Sequence, residues 1–394
     1  MNAEHSSASW LSVVAVGIGA FALVTTEFLP VGLLPQVAEE LGISEGQTGL
    51  MVTLPGLFAA VTAPLTLLWA RAFDRRQVLC VLMALLALSN IVVAFASELW
   101  MLLLGRALLG TAVGGFWTIG GALGPRLKPL QAARATSMIF SGVSLGTVAG
   151  VPAGTILGEL TGWRTVFGVS AVLSVVVMLL LLRTLPKLPA QPGAGVQALG
   201  EVLRRPTTRL GLAAVLTIFV GQFAAYTYLS PYLLNEATMT PMALSAILLG
   251  FGITGFLGNL AGGWAVTKNA ARTLTFSALL MGLPMLLLAA GVTPKPMVIA
   301  LVMLWGLGFG LLPIAMQTWL FSMAPDRLEA MGAIFVSSAQ ISIGLGALAG
   351  GLAVDHLGVL SALAMGGAFA VATAALMTIS QARTVKVPAC ATNS

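Results

Sequence analysis

Two ionisable side chains, Glu27 and Arg106, lie deep inside long apolar stretches of the sequence. AVGIGAFALVTTEFLPVGLLP encloses Glu27, and LWMLLLGRALLGTAVGGFW encloses Arg106. A charge in hydrocarbon costs roughly 3 kcal/mol or more unless it is paired or hydrated, so an intramembrane acid and base indicate a functional site. A buried carboxyl group with a movable cationic neighbour can switch between protonated and ionised forms. The chemistry that this pair predicts is therefore proton coupling.

The surrounding sequence consists almost entirely of apolar spans. Hydrophobic residues make up 58% of the 394 residues and charged residues 8%, whereas a soluble domain carries about 25% charged residues. The apolar runs are continuous and do not alternate, so their backbone hydrogen bonds must close within helices. We therefore predict an all-α polytopic membrane protein with little chain left for a soluble domain. Its twelve predicted transmembrane helices lie near residues 10–34, 47–70, 77–97, 99–124, 135–158, 165–183, 209–234, 241–266, 273–291, 297–323, 331–354 and 358–380.

The basic residues predict the orientation, because Lys and Arg accumulate in cytoplasmic loops. With the N-terminus inside, 16 of the 19 Lys and Arg residues are cytoplasmic, and both termini are expected there. The first span should remain in the mature protein, since no basic region precedes it and it is too long for a signal core. This asymmetry also explains the net charge of +6, so nucleic acid is not an expected partner.

A polar, Pro- and Gly-bearing stretch near the midpoint divides the spans into two sets of six. We predict an N-terminal bundle over residues 1–185, a cytoplasmic linker over 186–208 and a C-terminal bundle with a short tail over 209–394. Weak internal similarity supports duplicated, pseudo-symmetric halves around a central cavity. The matching glycine pairs are Gly110 and Gly114 with Gly306 and Gly310, and Gly146 and Gly150 with Gly346 and Gly350.

The fifth span carries glycines at strict four-residue spacing, Gly142, Gly146, Gly150, Gly154 and Gly158, with Pro152 among them. Small residues four apart let another helix approach closely, and the proline removes a backbone donor and bends the helix. Two interpretations stay open: a static packing face, or a sliding surface between the halves.

Several motifs together resemble the major facilitator superfamily, and within it the twelve-helix drug:proton antiporters of the bacterial sugar-efflux branch. They are Thr25–Pro35 in the first span, Gly105–Gly115 around Arg106, Val151–Gly154 in the glycine ladder, Gly162–Phe167 and Tyr226–Pro231. The resemblance covers essentially the whole chain. It implies a multi-pass protein of the cell inner membrane whose first and fourth helices line the cavity.

The loop between the second and third spans departs from that family pattern. The family carries an acidic residue, a glycine and a basic pair there, whereas WARAFDRRQ has Arg71 at the acid position and Asp74 at the glycine position. Arg75 and Arg76 match the basic pair. We expect Asp74 to replace the missing acid in a gating contact.

Glu27 and Arg106 are expected at one depth, about 12 Å below the outer ends of their helices at 1.5 Å per residue. They could face each other directly or across substrate or water; the alternative is a permanent ion pair that only fixes helix register. Amides, hydroxyls and aromatic rings could bind polar or ring-bearing solutes, or could serve only as interhelical contacts. The candidate cavity residues are Thr26, Trp117, Gln222, Tyr226, Tyr228, Gln317 and Gln340.

These features predict a proton-coupled antiporter that exports small sugars or drug-like solutes by alternating access. An exporter of purines or nucleosides and an importer of the same fold are the alternatives. We expect no enzyme activity, because the hydrolase-like Gly142–Gly146 and dinucleotide-like Gly250–Gly255 patterns lie inside apolar spans without a preceding strand. The expected partners are a small-molecule substrate, protons and the lipid bilayer, and a monomer is expected. No cofactor or metal is predicted beyond the proton motive force, since Cys80 and Cys390 cannot form a metal cluster.

Overall fold

The computed structural model describes residues 9–69, 73–120, 123–189, 196–291, 294–324 and 326–385, and the regular elements within these ranges are helices. The helices are α1 Trp10–Leu41, α2 Glu45–Trp69, α3 Arg75–Ala94, α4 Leu99–Gly120, α5 Leu123–Leu127, α6 Ala132–Leu145, α7 Val151–Thr161, α8 Trp163–Thr184, α9 Val196–Arg204, α10 Pro206–Tyr226, α11 Leu229–Pro231, α12 Pro241–Ala289, α13 Lys295–Met323, α14 Leu328–Leu357 and α15 Val359–Val385. A 3₁₀ turn, Pro129–Gln131, precedes α6. Two π-helical segments, Gly146–Gly150 and Tyr232–Glu236, follow α6 and α11.

Eleven helical spans in the described ranges are long and apolar enough to cross a membrane, and one of them, Arg134–Thr161, runs through α6, the π-helical segment Gly146–Gly150 and α7. Another, α12, has 49 residues and would be about 74 Å long if straight. That is more than twice the roughly 30 Å of hydrocarbon in a bilayer. Its backbone leaves helical geometry at Asn269, with φ −164° and ψ 104°, so α12 consists of two spans joined at a kink. The twelve predicted spans are thereby confirmed.

The helices form two bundles with separate apolar cores. Two buried clusters belong to the first bundle, and one large cluster belongs mostly to the second. The glycine pairs repeat their packing: Gly110 and Gly114 of α4 lie on α2, and Gly306 and Gly310 of α13 lie on α12. Glycine lets two backbones come into contact, so each pair marks an equivalent close helix crossing. This equivalence confirms the pseudo-symmetric fold.

The first helix continues beyond its predicted end. The apolar run predicts a first span near residues 10–34, but α1 runs to Leu41 through both Pro30 and Pro35. Its end is set by Gly42, which adopts a left-handed conformation with φ 62°. The Gly42 N–H donates to the Glu39 carbonyl at 3.3 Å, and the Ile43 N–H donates to the Ala38 carbonyl at 3.1 Å. Prolines are tolerated inside membrane helices where neighbouring side chains satisfy the freed carbonyls.

The predicted linker contains the short helix α9. Two ion pairs attach this region to the second bundle: Arg205 to Asp326 at 2.6 Å, and Arg327 to Glu201 at 2.8 Å. Residues 190–195 lie outside the described ranges. The predicted bundle boundaries at residues 185 and 209 stay a prediction.

Candidate proton and substrate site

Glu27 lies in the middle of α1 and is 4% exposed. Its Oε1 accepts a long hydrogen bond of 3.4 Å from Nε2 of Gln340, which belongs to α14 of the other bundle. Beside it, the Phe28 ring stacks on Phe223 of α10, with 5.6 Å between the ring centroids. The carboxyl group therefore lies at the contact between the two bundles.

Arg106 of α4 is fully buried and donates three hydrogen bonds to backbone carbonyls. Its Nη1 donates to Thr26 at 2.9 Å, its Nη2 to Glu27 at 2.8 Å and its Nε to Met51 of α2 at 2.6 Å. A helical carbonyl normally accepts from the N–H four residues later, and a proline at that position has none. The residues four after Thr26 and Met51 are Pro30 and Pro55. Arg106 thus supplies donors that two prolines remove.

The sequence left open whether Glu27 and Arg106 face each other directly or across substrate or water. The two residues do meet, but through the main-chain carbonyl of Glu27, and their side chains form no ion pair within 4.0 Å. The physical reason is that the guanidinium is already occupied by the carbonyl groups. The permanent ion pair that was the alternative interpretation is absent for the same reason.

Gln222 and Tyr226 of α10 form a wall with aromatic residues of α12 and α13. Trp305 donates its Nε1 to Oε1 of Gln222 at 2.7 Å, and the buried Nε2 of Gln222 has no hydrogen-bond partner within the described part of the chain. Tyr226 stacks on Phe251 with 4.9 Å between centroids, and Phe309 packs beside both rings. Two of the predicted cavity residues are therefore brought together here.

Gln340, another predicted cavity residue, lies on Glu27, whereas three others lie elsewhere. Thr26 accepts a long 3.4 Å hydrogen bond from Asn90 of α3, which points it into its own bundle. Trp117 stacks on Phe140 of α6 within the first bundle, and Gln317 is exposed on α13. Asn90, fully buried with an unpartnered Oδ1, was missed by sequence analysis, although a lone amide in an apolar span could have indicated it.

The remaining predicted residue, Tyr228, takes part in closing one end of the molecule. Its hydroxyl donates to the carbonyl of Ala347 at 2.9 Å, and its ring lies against Gly49 of α2 and Gly350 of α14. Nearby, Ser230 donates to the carbonyl of Val31, which Pro35 leaves without a helical donor. Tyr228 and Ser230 belong to the second bundle and contact the first, so they join the two halves.

We call Ser44, Gly46 and Asp355 the outer latch, because the predicted topology places them at the outer end. Asp355 of α14 accepts from the Ser44 hydroxyl at 2.7 Å and from the Gly46 N–H at 3.0 Å. The carboxylate thereby caps the N-terminus of α2, where an anion is favourable. Next to it, Asn235 donates to Glu45 at 3.0 Å. The two bundles are therefore joined from Glu27 to the outer end.

The glycine ladder packs inside the first bundle. Gly142, Gly146, Gly150 and Gly154 face Gly17, Phe21, Thr25 and Leu29, which recur at the same four-residue spacing along α1. These contacts are those of a packing face within the first bundle, and the alternative of a sliding surface between the halves stays a prediction. Contact with the other bundle is made by the neighbouring backbone of Thr147 and Val148 on Gly252 of α12. Pro152 begins α7 directly after the π-helical segment.

Asp74 acts as a helix cap at the opposite end of the first bundle. It accepts from the Arg76 N–H at 2.8 Å and from the Leu188 N–H at 3.0 Å, while the Arg75 N–H donates to the Leu188 carbonyl at 2.9 Å. Arg76 also donates to the Leu182 carbonyl. These contacts tie the loop to the segment after α8. Arg71 lies outside the described residues, so the gating role of this loop stays a prediction.

Comparisons with known proteins agree on one family. The family model described as Major Facilitator Superfamily matches residues 16–327. Proteins named purine ribonucleoside efflux pump NepI, from Salmonella paratyphi A and Salmonella typhimurium, are each 37% identical over 93% of this chain and 92% of their own. A variant of the nucleoside transporter NupG has a similar structure, with TM-score 0.79, 14% identity and coverage of 94% of this chain and 98% of its own. An inward-facing bacterial homologue of the lysosomal transporter Spinster has TM-score 0.71, 17% identity and 96% coverage of both chains.

Proposed function

Because the chain belongs to the Major Facilitator Superfamily, we propose that this multi-pass inner-membrane transporter exports purine ribonucleosides in exchange for protons. The relatives that are 37% identical over nearly the whole chain carry that efflux function in their name. They favour the nucleoside alternative over small sugars or drug-like solutes. The observation that carries the proton-coupling part is the buried Glu27 carboxyl group, whose hydrogen bond crosses to the other bundle.

Glu27 is proposed as the proton site because its surroundings leave a proton exchangeable. The carboxylate has one long hydrogen bond among the described residues and no ion pair within 4.0 Å. The Arg106 cation stays in the same bundle, held by carbonyls of α1 and α2. If the bundles rock as rigid bodies, Arg106 keeps its distance to Glu27 and cannot be the moving partner. The contact that rocking changes is the one with Gln340.

Gln340 is proposed to link the proton to the substrate. Its Nε2 donates to Glu27, and its buried Oε1 has no partner among the described residues. A protonated Glu27 would instead donate its O–H, which requires the amide to turn and present its oxygen. The group that Gln340 offers to substrate then changes from an acceptor to a donor. Substrate that binds through its own N–H or O–H groups therefore competes with the proton.

The aromatic wall provides the surface for a purine base. Stacking of a base on an aromatic side chain is worth about 1–3 kcal/mol, and Tyr226, Phe251 and Phe309 form one stacked group. The unpartnered Nε2 of Gln222 lies beside this group and can donate to a ring nitrogen or carbonyl oxygen of the base. A purine base can stack on these rings and also hydrogen-bond to the Gln222 amide, whereas a simple sugar can only hydrogen-bond to the amide.

The proposed cycle starts with the outer latch closed, as in this structure, which the predicted topology makes the cytoplasm-facing state. Nucleoside binds from the cytoplasm while Glu27 is ionised. After the bundles rock, Glu27 loses Gln340 and receives a proton from outside, and the nucleoside leaves. The protonated carrier then returns and releases the proton to the cytoplasm. The membrane potential contributes roughly 2.3 kcal/mol per charge for each 100 mV.

The test is proton movement on nucleoside addition in reconstituted vesicles with an imposed pH gradient. Inosine and adenosine should produce a proton flux that disappears in Glu27→Gln, while exchange of labelled for unlabelled nucleoside continues. Glu39→Gln, the same change at an exposed position of α1, should behave like the unmodified protein. Unchanged coupling in Glu27→Gln would refute the proton site. A flux with sugars or chloramphenicol and none with nucleosides would refute the substrate class.

A further inference from the structure

A cavity lies at the kink of α12, on the surface of the second bundle. Its volume is about 620 Å³, and its lining includes Trp264, Lys268, Asn269, Arg272 and Leu311. Trp264 and Phe276, both in the lining, are 64% and 58% exposed, so the cavity is open at the protein surface, and it shares no lining residue with the aromatic wall of Tyr226, Phe251 and Phe309. Cavities of 300–1,000 Å³ are the usual size for small-ligand sites.

The kink positions two cations at the rim of this cavity. Asn269 leaves helical geometry, and its Oδ1 accepts from the Arg272 N–H at 2.9 Å, which caps the second arm of α12. Lys268 ends the first arm, and its Nζ lies 3.8 Å from the centroid of the Trp264 ring. The two basic side chains therefore flank one opening, with an aromatic ring beside them.

Neither cation has an acidic partner in the described structure. No ion pair within 4.0 Å includes Lys268 or Arg272. The sequence contains no Asp or Glu from Ala237 to Pro325, which includes every residue that lines the cavity. Two exposed positive charges beside a cavity without an acid favour an anionic ligand.

The rest of the cavity is apolar. Ala261, Ala265, Phe276, Leu307 and Leu311 line it along α12 and α13. The predicted topology places the Asn269 kink at the cytoplasmic face, and tryptophan is typical of a membrane–water interface. A free phosphate ion would use the cations and leave this surface unoccupied, whereas a lipid covers both.

We propose that this cavity binds an anionic phospholipid of the cytoplasmic leaflet. The headgroup phosphate contacts Lys268 and Arg272, and an acyl chain lies along Phe276 and Leu311. Basic pockets between transmembrane helices on the cytoplasmic side are suited to such headgroups. The site is independent of the transported solute, so it holds whether or not that solute is a nucleoside.

The test is a lipid titration of the purified full-length transporter in detergent, followed by native mass spectrometry. Phosphatidylglycerol should bind more tightly than phosphatidylethanolamine, and the double variant Lys268→Gln with Arg272→Gln should bind phosphatidylglycerol roughly twenty- to thirty-fold more weakly. The matched double variant Arg183→Gln with Lys187→Gln removes two exposed basic residues outside the cavity. It should retain the unmodified affinity.

A third variant tests the apolar part of the cavity without changing its two cations. Ala261→Trp fills the apolar part and keeps both cations, so it should also weaken phosphatidylglycerol binding, with monodispersity showing that the protein is folded. The proposal would be overturned if the Arg183→Gln, Lys187→Gln control lost phosphatidylglycerol affinity equally. It would also be overturned if the Lys268→Gln, Arg272→Gln variant kept the unmodified affinity. Displacement of the lipid by excess inorganic phosphate would identify free phosphate as the ligand and would also overturn it.

Discussion

Replacing Arg106 by methionine should destabilise the transporter mainly by exposing two backbone carbonyls that have no other donor. These are the carbonyls of Thr26 and Met51, to which Arg106 donates at 2.9 and 2.6 Å. Pro30 and Pro55 remove the helical N–H groups that would otherwise reach them. Methionine fills a similar space without a donor, so both carbonyls would be buried and unsatisfied.

The magnitude follows from the number of orphaned groups. A buried unsatisfied polar group costs about 1–3 kcal/mol, and interhelical hydrogen bonds in membrane proteins average about 0.6 kcal/mol with a maximum near 1.7. Two carbonyls at about 1 kcal/mol each give about 2 kcal/mol. Changing Pro30 and Pro55 to alanine returns two N–H donors. The cost of Arg106→Met should therefore be about 2 kcal/mol smaller in the Pro30→Ala, Pro55→Ala background.

The assay is a double-mutant cycle on the free energy of unfolding, measured by SDS titration in mixed micelles. The cycle cancels the separate effects of each change and leaves the coupling between Arg106 and the prolines. Pro313→Ala in α13 is the control, because Arg106 donates nothing to its helix, and its coupling should be near zero. A coupling below about 0.5 kcal/mol for the Pro30 and Pro55 pair lies within the usual error of additivity. That result would refute the role assigned to Arg106.

Three further changes test the aromatic wall, the outer latch and the ion pair at the linker. Tyr226→Leu should raise the KM for purine nucleosides about tenfold, because base stacking is worth about 1–3 kcal/mol. The ratio of protons to substrate should stay unchanged, and a changed ratio in vesicle flux would contradict this. Asp355→Asn should shift the conformational equilibrium about fivefold towards the state open at the outer end, since a charge at a helix N-terminus is worth up to about 1 kcal/mol; unchanged spin-label distances across the outer end would contradict it. The Arg205 hydrogen bond lowers the pKa of Asp326 to about 2, so this pair stabilises the fold above the ordinary Asp pKa of about 4 and is lost as the pH falls towards 2. The loss of unfolding free energy in Asp326→Asn should therefore be the same at every pH between about 5 and 8.

The sequence was sufficient to predict the fold and to identify Glu27 and Arg106 as two charges that could face each other, because both depend on features with few solutions. Apolar run length determines the number of spans, and two charges in hydrocarbon must find each other or water. The atoms that make the contact were not predictable. They depend on where Pro30 and Pro55 place free carbonyls relative to α4, which is a property of the packed helices.

Sequence analysis also missed residues whose roles depend on the other bundle. Ser230 resembles an ordinary membrane serine until Pro35 is seen to free the Val31 carbonyl opposite it. Asp355 resembles an outer-loop acid until α2 presents its N-terminus to it. A four-residue glycine spacing likewise predicts a close helix contact without naming the partner, and the ladder packs on α1 of its own bundle. Contacts across halves have no local sequence signal, so only the assembled fold reveals them.

The distribution of contacts along α1 determines which of them can respond to transport. Arg106 holds Thr26 and Glu27 from within the first bundle, whereas Ser230 and Gln340 hold Val31 and Glu27 from the second. Rigid-body rocking preserves the first set and breaks the second. In the proposed cycle, Glu27 therefore keeps its fixed cation throughout and loses only the amide of Gln340 when the outer end opens. Under the proposed proton exchange, access of the outside proton and release from Gln340 occur in one movement, which is what an exchanger requires to avoid moving either ligand alone.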